Sequence, residues 1–150
     1  MNIFIGADHR GFAMKEGVIA WLQQQGHSVE DMGAQEFMEG DDYPDYAMLV
    51  AKKIAVDTEH NRGIVLCGSG VGMAVAANKV HGIRAAMIHD VEIVKAARND
   101  DDINVLALGS DFISLEEAQA LTATFLSTPF SGSERHVKRV GKIAEMEKNE

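Results

Sequence analysis

The sequence predicts an α/β domain in which a parallel sheet is covered by helices on both faces. Three observations lead there. Short apolar runs of strand length alternate with longer segments of helical pattern along the chain. The run Ile64-Val65-Leu66 is apolar at every position, as in a parallel strand buried on both sides. After it comes a glycine loop, Gly68-Ser69-Gly70-Val71-Gly72, that opens into an alanine-rich helix, the order of a strand-to-helix crossover.

The elements follow in order. Asn2 to Gly6 reads as an apolar strand, ended by Ala7-Asp8-His9-Arg10-Gly11. Phe12 to Gln25 is an amphipathic helix with Gly26 as its stop. A short strand lies near Ser28 to Asp31, and Gly33 to Asp42 is an acidic loop before a helix from Tyr43 or Pro44 to Val56. After the buried strand, Met73 to Lys79 reads as helix, Ile83 to Ile88 as a fourth strand, Val91 to Asn99 as helix and Val105 to Leu108 as a fifth strand. Ser114 and Glu117 form a capping box for a helix from Leu115 to Ser127, and a last helix spans about Glu134 to Lys148. Ligands of such sheets bind beyond the carboxyl ends of the strands, where Asp8, His9 and Cys67 all fall.

At 150 residues and 46% hydrophobic, residues 1–150 fit one domain with a real core. The formal net charge of -9 argues against nucleic acid as a partner. No apolar run approaches membrane-spanning length, and the start lacks a basic segment followed by a long apolar one, so a cytoplasmic protein is expected. The single cysteine, Cys67, excludes an intramolecular disulfide framework.

The glycine loop is the most informative segment. Amides that open the following helix have no acceptor within it and favour an anion, a thiolate or an oxyanion. A Walker A loop fails because Gly72 is followed by Met73-Ala74 rather than Lys-Ser/Thr. A cysteine phosphatase loop fails because Met73 stands where it needs arginine. A dinucleotide fingerprint survives weakly: Met73 occupies its third glycine position, while Asp90 lies about 20 residues on. The loop alone also fits a glycine turn around an inert buried Cys67. Taken singly, Asp8 fits a helix cap and His9 an ordinary loop residue. Arg135 and Arg139 share one helix face and suit a phosphate, although a solvated helix explains them as well. His27, His60, His81 and His89 lack metal-ligand spacing, and no metal is expected. Asp100-Asp101-Asp102 reads as a hydrated turn.

Together, Asp8-His9 with Gly11-Phe12, Asp42-Tyr43-Pro44, Cys67-Gly68-Ser69-Gly70-Val71-Gly72, Ala76-Ala77-Asn78-Lys79, Gly82-Ile83-Arg84-Ala85, Asn104-Val105-Leu106-Ala107 and Arg135-His136-x-x-Arg139 resemble the ribose-5-phosphate isomerase B family. That family includes allose- and galactose-6-phosphate isomerases, and the match runs in order over nearly the whole chain. The resemblance implies a Rossmann-like three-layer α/β/α sandwich with a five-stranded parallel sheet, no cofactor and no metal. It implies a homodimer, or a dimer of dimers, whose sites draw on both subunits, with helix 134–148 packing on the partner. The implied reaction is ribose 5-phosphate to ribulose 5-phosphate, through a cis-enediolate, in the pentose phosphate pathway.

By the same resemblance Cys67 is the base, Ser69 assists proton transfer, and the amides of Gly68, Gly70, Val71 and Gly72 hold the enediolate. Asp8 binds sugar hydroxyls, Tyr43 lines the pocket, and His9, Arg135 and Arg139 bind phosphate. Another branch of the family places a glutamate base where this chain has Met73. Two departures stand out. Asp100-Asp101 replace the family's His-Asn, whose histidine opens the sugar ring, and an ionised carboxylate cannot donate a proton as an imidazolium does. Asp111 stands where the family often has an arginine near the phosphate, which predicts a weaker phosphate pocket. Alternatives are another aldose phosphate (a tetrose 4-phosphate or hexose 6-phosphate) or a non-catalytic sugar-phosphate sensor.

Overall fold

The computed structural model describes residues 1–148; Asn149 and Glu150, included in the single-domain expectation, lie outside the described residues. The elements are β1 (Asn2–Ala7), α1 (Phe12–Gln24), β2 (Val29–Asp31), α2 (Tyr43–Val56), β3 (Asn61–Cys67), α3 (Val71–Ala77), β4 (Ala85–Met87), α4 (Val91–Asp101), β5 (Val105–Gly109), α5 (Leu115–Ser127) and α6 (Glu134–Glu147). All strand pairs are parallel, in the order β2-β1-β3-β5-β4. The chain leaves β1 toward one edge and β3 toward the other, so the topological switch point lies between them.

Alternate side chains of the central strands build two cores. Ile3, Ile5, Ile64, Leu66, Leu106 and Leu108 pack under α1, α4 and α5 through Val18, Leu22, Val94, Leu121 and Phe125. Phe4, Val65, Val105 and Ala107 pack under α2 and α3 through Val50, Ile54, Met73 and Ala77. The sheet is thus the middle layer of three, as expected. Emptying one such site is costly: Phe125, fully buried, should lose about 3–5 kcal/mol on truncation to alanine.

Local chemistry sets the element ends. Ser114 Oγ accepts the Glu117 N–H at 3.2 Å and Glu117 Oε2 accepts the Ser114 N–H at 2.7 Å, which is the expected capping box. Helix α3 starts at Val71, two residues before the expected Met73, because Gly70 at φ 77° turns the chain directly into it. It stops at Ala77 because the Asn78 side chain is bonded to the Ala85 carbonyl and N–H at 2.9 and 2.8 Å. Strand β4 is shorter than Ile83 to Ile88, having only β5 as a neighbour.

Helix α4 continues past the expected Asn99, so Asp100 and Asp101 are helical rather than part of a hydrated turn. Asp102 adopts a left-handed conformation at φ 49°, and its two oxygens hold Arg84 and Arg98, each at 2.8 Å. That is an ion-paired helix end, which a run of three aspartates does not announce.

Candidate active site

The register brings Ala7 opposite Leu66 and Cys67 opposite Gly109, so the loops after β1, β3 and β5 meet at one edge. Backbone bonds join them. The Asp8 N–H donates to the Leu66 carbonyl at 3.3 Å, Ser110 N–H to the Cys67 carbonyl at 2.9 Å, and Asp111 N–H to the Gly68 carbonyl at 3.0 Å. Gly11 allows this closeness, since a Cβ there would lie 2.7 Å from the Leu66 carbonyl atoms.

Cys67 ends β3 on the α2/α3 face and is 5% exposed, beside Met73 and Ala74. Its sulfur is not packed on carbon alone: the Gly70 N–H donates to Sγ at 3.1 Å. The Val71 N–H donates to Ser69 Oγ at 3.3 Å. Tyr43, at the start of α2, lays its ring on the loop, and a Cβ on Gly72 would lie 2.7 Å from two of its ring carbons. Met73 is fully buried and apolar, leaving Cys67 as the group at this point with base chemistry.

Asp8 is 5% exposed, and its Oδ1 accepts the N–H groups of Arg10 at 3.0 Å and Gly11 at 3.1 Å. This oxygen holds the turn, so any ligand must use the other. His9 gives both its main-chain N–H and its Nδ1 to Asp41 Oδ1, each at 2.8 Å. The ring of Phe37 meets that of His9 edge-on at 6.2 Å.

Asp41 is a residue that the sequence places only within the acidic loop Gly33 to Asp42, where nothing in its spacing marks it out. Its side chain is 8% exposed, and Oδ2 is buried with no hydrogen bond of its own. Burial pushes the Asp41 carboxyl up, but the main-chain N–H and ring of His9 together with Tyr46 outweigh this and hold it below the ordinary carboxylate value. Burial, reinforced by Asp41, pushes the Tyr46 phenol above its usual value. Asp8, His9 and Asp41 could between them offer one ligand atom each to a cation, all within 4.8 Å, although the His9 and Asp41 atoms are turned to one another.

The structure brings together Asp8, His9, Tyr43, Cys67, Ser69 and the Gly68 to Gly72 loop. It holds the other four expected residues apart. Asp100 and Asp101 end α4 at the opposite edge of the sheet. Arg135 and Arg139 lie with Ser133, Glu134, Lys138 and Lys142 along an open groove of about 690 Å³ on α6. That helix packs on α4 and is tied by Glu147 to the Gly82 N–H at 2.9 Å, remote from Cys67. Next to Asp100, at 3.6 Å from its Oδ1, stands His136 Nε2. The other departure is corrected by geometry: the Asp111 carboxylate is ion-paired with Arg10, so its negative charge does not stand alone.

An open doubly wound sheet with a nucleophile and acids at its switch point defines an α/β protein that acts on a small polar molecule. Residues 3–143 match the Ribose/Galactose Isomerase family, and the chain belongs to that family. Ribose-5-phosphate isomerase B of Mycolicibacterium paratuberculosis is 38% identical over 148 residues, covering 99% of this chain and 92% of the relative. The crystal structure of ribose-5-phosphate isomerase B from Mycoplasma genitalium with bound ribulose-5-phosphate has a TM-score of 0.95 at 40% identity, covering 99% of this chain and 97% of that one. The Clostridium thermocellum ribose-5-phosphate isomerase B has a TM-score of 0.93 at 41% identity, covering 99% of each chain.

Proposed function

We propose that this chain interconverts ribose 5-phosphate and ribulose 5-phosphate, with Cys67 as the base. The observation that carries the reading is the meeting of Cys67, Ser69 and the glycine loop with Asp8, His9 and Tyr43 at the switch point of a sugar isomerase fold. The Cys67 thiolate takes the proton from C2 of the open-chain aldose while the C1 carbonyl oxygen gains the electron pair, giving a cis-enediolate. The thiol returns that proton to C1, and the carbonyl re-forms at C2. The Ser69 hydroxyl carries a proton between the two oxygens.

The loop amides divide their work. Those of Gly70 and Val71 already meet Sγ and Ser69 Oγ, so they aim the reacting groups. The Gly72 amide, in the first turn of α3, lacks an intrahelical acceptor and meets the enediolate oxygen. The oxygen of Asp8 not used in its turn binds sugar hydroxyls, and His9, held by Asp41, faces the phosphate.

The remaining groups come from a two-fold partner. Its α6 supplies Arg135 and Arg139 to the phosphate, and its α4 supplies Asp100 and Asp101 to the sugar. Ring opening falls to Asp100 together with His136, whose Nε2 stands 3.6 Å from Asp100 Oδ1 and adds a second group able to carry a proton. The described residues contain no helix long and apolar enough to cross a membrane, and the substrate is a soluble sugar phosphate.

Asp100 in the histidine position favours one second reading, a tetrose 4-phosphate. Its terminal oxygen is esterified, so it cannot close a furanose ring and needs no ring opener. Ketose formation from ribose 5-phosphate, erythrose 4-phosphate and allose 6-phosphate decides between them. The expected result is a kcat/KM for the pentose about tenfold or more above the others. Turnover of the tetrose alone moves the substrate, and turnover of none overturns the reaction.

A further inference from the structure

Arg10 and Asp111 form a strap across the site that the chemistry above leaves unused. Their ion pair joins the loop after β1 to the loop after β5, directly above Gly68. A Cβ on Gly68 would lie 2.5 Å from Arg10 Nε and 2.8 Å from Nη1, so the guanidinium rests on the residue next to Cys67. The root of the strap is fixed: Ser110 Oγ donates to the Arg10 carbonyl at 2.8 Å and lies 3.1 Å from that of Cys67.

Charge makes this cation matter. A phosphate dianion entering here meets the carboxylates of Asp8, Asp41 and Asp111. Within the same subunit, several other basic groups are engaged elsewhere. Lys15 is buried on Asp31 and Glu16, Arg84 and Arg98 hold Asp102, Arg62 binds carbonyls at the foot of β3, and the α6 cluster lies remote from Cys67. The Arg10 side chain is 57% exposed, and only Nη2 is turned to Asp111. An ion pair this open is screened by water and shares its cation readily.

We propose that Arg10 is a substrate-binding residue, its guanidinium aimed by Asp111 so that the remaining N–H groups clamp the substrate phosphate. The proposal rests on the sugar-phosphate reading above. It gives Asp111 a purpose: a carboxylate in a phosphate pocket orients the arginine that neutralises it. A planar fork with parallel donors suits phosphate better than an ammonium does.

Two measurements test it: calorimetric titration of inorganic phosphate into the intact protein, and ribose 5-phosphate kinetics. In Arg10→Gln the phosphate Kd and the sugar KM should each rise about tenfold or more, the loss of a charge-assisted contact. Because Arg10 touches the phosphate rather than the reacting carbons, kcat should fall by less than about threefold. Arg10→Lys keeps the charge without the fork and should fall between. In an Asp111→Asn background the Arg10→Gln penalty should shrink, and an undiminished penalty removes Asp111 from the proposal. A phosphate Kd in Arg10→Gln within about twofold of wild type overturns it. A wild-type protein that binds phosphate through Arg10 without isomerising ribose 5-phosphate overturns the reaction and keeps this site.

Discussion

The two ends of the sheet are furnished differently. At the carboxyl end the polar groups are held in place: Asp8 by two amides, His9 by Asp41, and the sulfur of Cys67 by Gly70. Against them, α6 has no buried side chain, carries Arg135, Lys138, Arg139 and Lys142 along one groove, and leaves Val137, Ile143 and Met146 exposed. One region has a thiol and acids with little positive charge, and the other has clustered positive charge without a thiol. Neither is a complete site for a phosphorylated sugar. In the proposed two-fold arrangement each supplies what the other lacks, and the apolar residues of α6 are covered as well.

The sharpest way to break this contrast is Cys67→Ala, which should lower turnover about a thousandfold while leaving phosphate binding intact. Unchanged turnover would remove the thiol from the chemistry. Next, replacing Arg135 and Arg139 together by alanine should lower kcat/KM about a hundredfold, mostly through KM. Mixing and refolding these two crippled proteins should restore about a quarter of wild-type activity, because half of the mixed dimers' sites are intact. No recovery, or a monomer in light scattering, would return both regions to one chain. Gly72→Ala is subtler, since its methyl would push the Tyr43 ring away; a fall of about tenfold in kcat/KM with near-native stability is expected.

The smallest effect concerns pH. The Asp41 carboxyl titrates below its ordinary value when folded, so the stability it contributes is present above about pH 4 and is lost as pH falls through the lowered value. The Tm difference between wild type and Asp41→Asn should therefore be full at neutral pH and shrink in acid. A constant difference would show that Asp41 contributes only through packing.

Much of this arrangement is legible in the sequence because it depends on local signals. Alternating strand and helix patterns give the layers, the capping box gives α5, and a cysteine before spaced glycines marks the site. What is hidden depends on contacts between distant segments. Asp41 finds His9 across 32 positions, and Arg10 finds Asp111 across 101, so neither pairing leaves a trace in spacing. Asp100 and Asp101 differ from the expected turn for another reason: aspartates are poor helix formers, yet α4 carries them because Arg98 and Arg84 anchor its end through Asp102. The remoteness of α6 from Cys67 follows from topology, which local patterns along the chain do not display.

The strand order has a consequence for the newly made protein. β4 has no neighbour but β5, and β5 also supplies the loop whose Ser110 and Asp111 tie down Cys67 and Gly68. A chain emerging from the ribosome must therefore hold half a sheet open until its fifth strand threads between the third and fourth. Cys67 is synthesised before the loop after β5, so its surroundings are complete only once that later segment has been made and has folded against it.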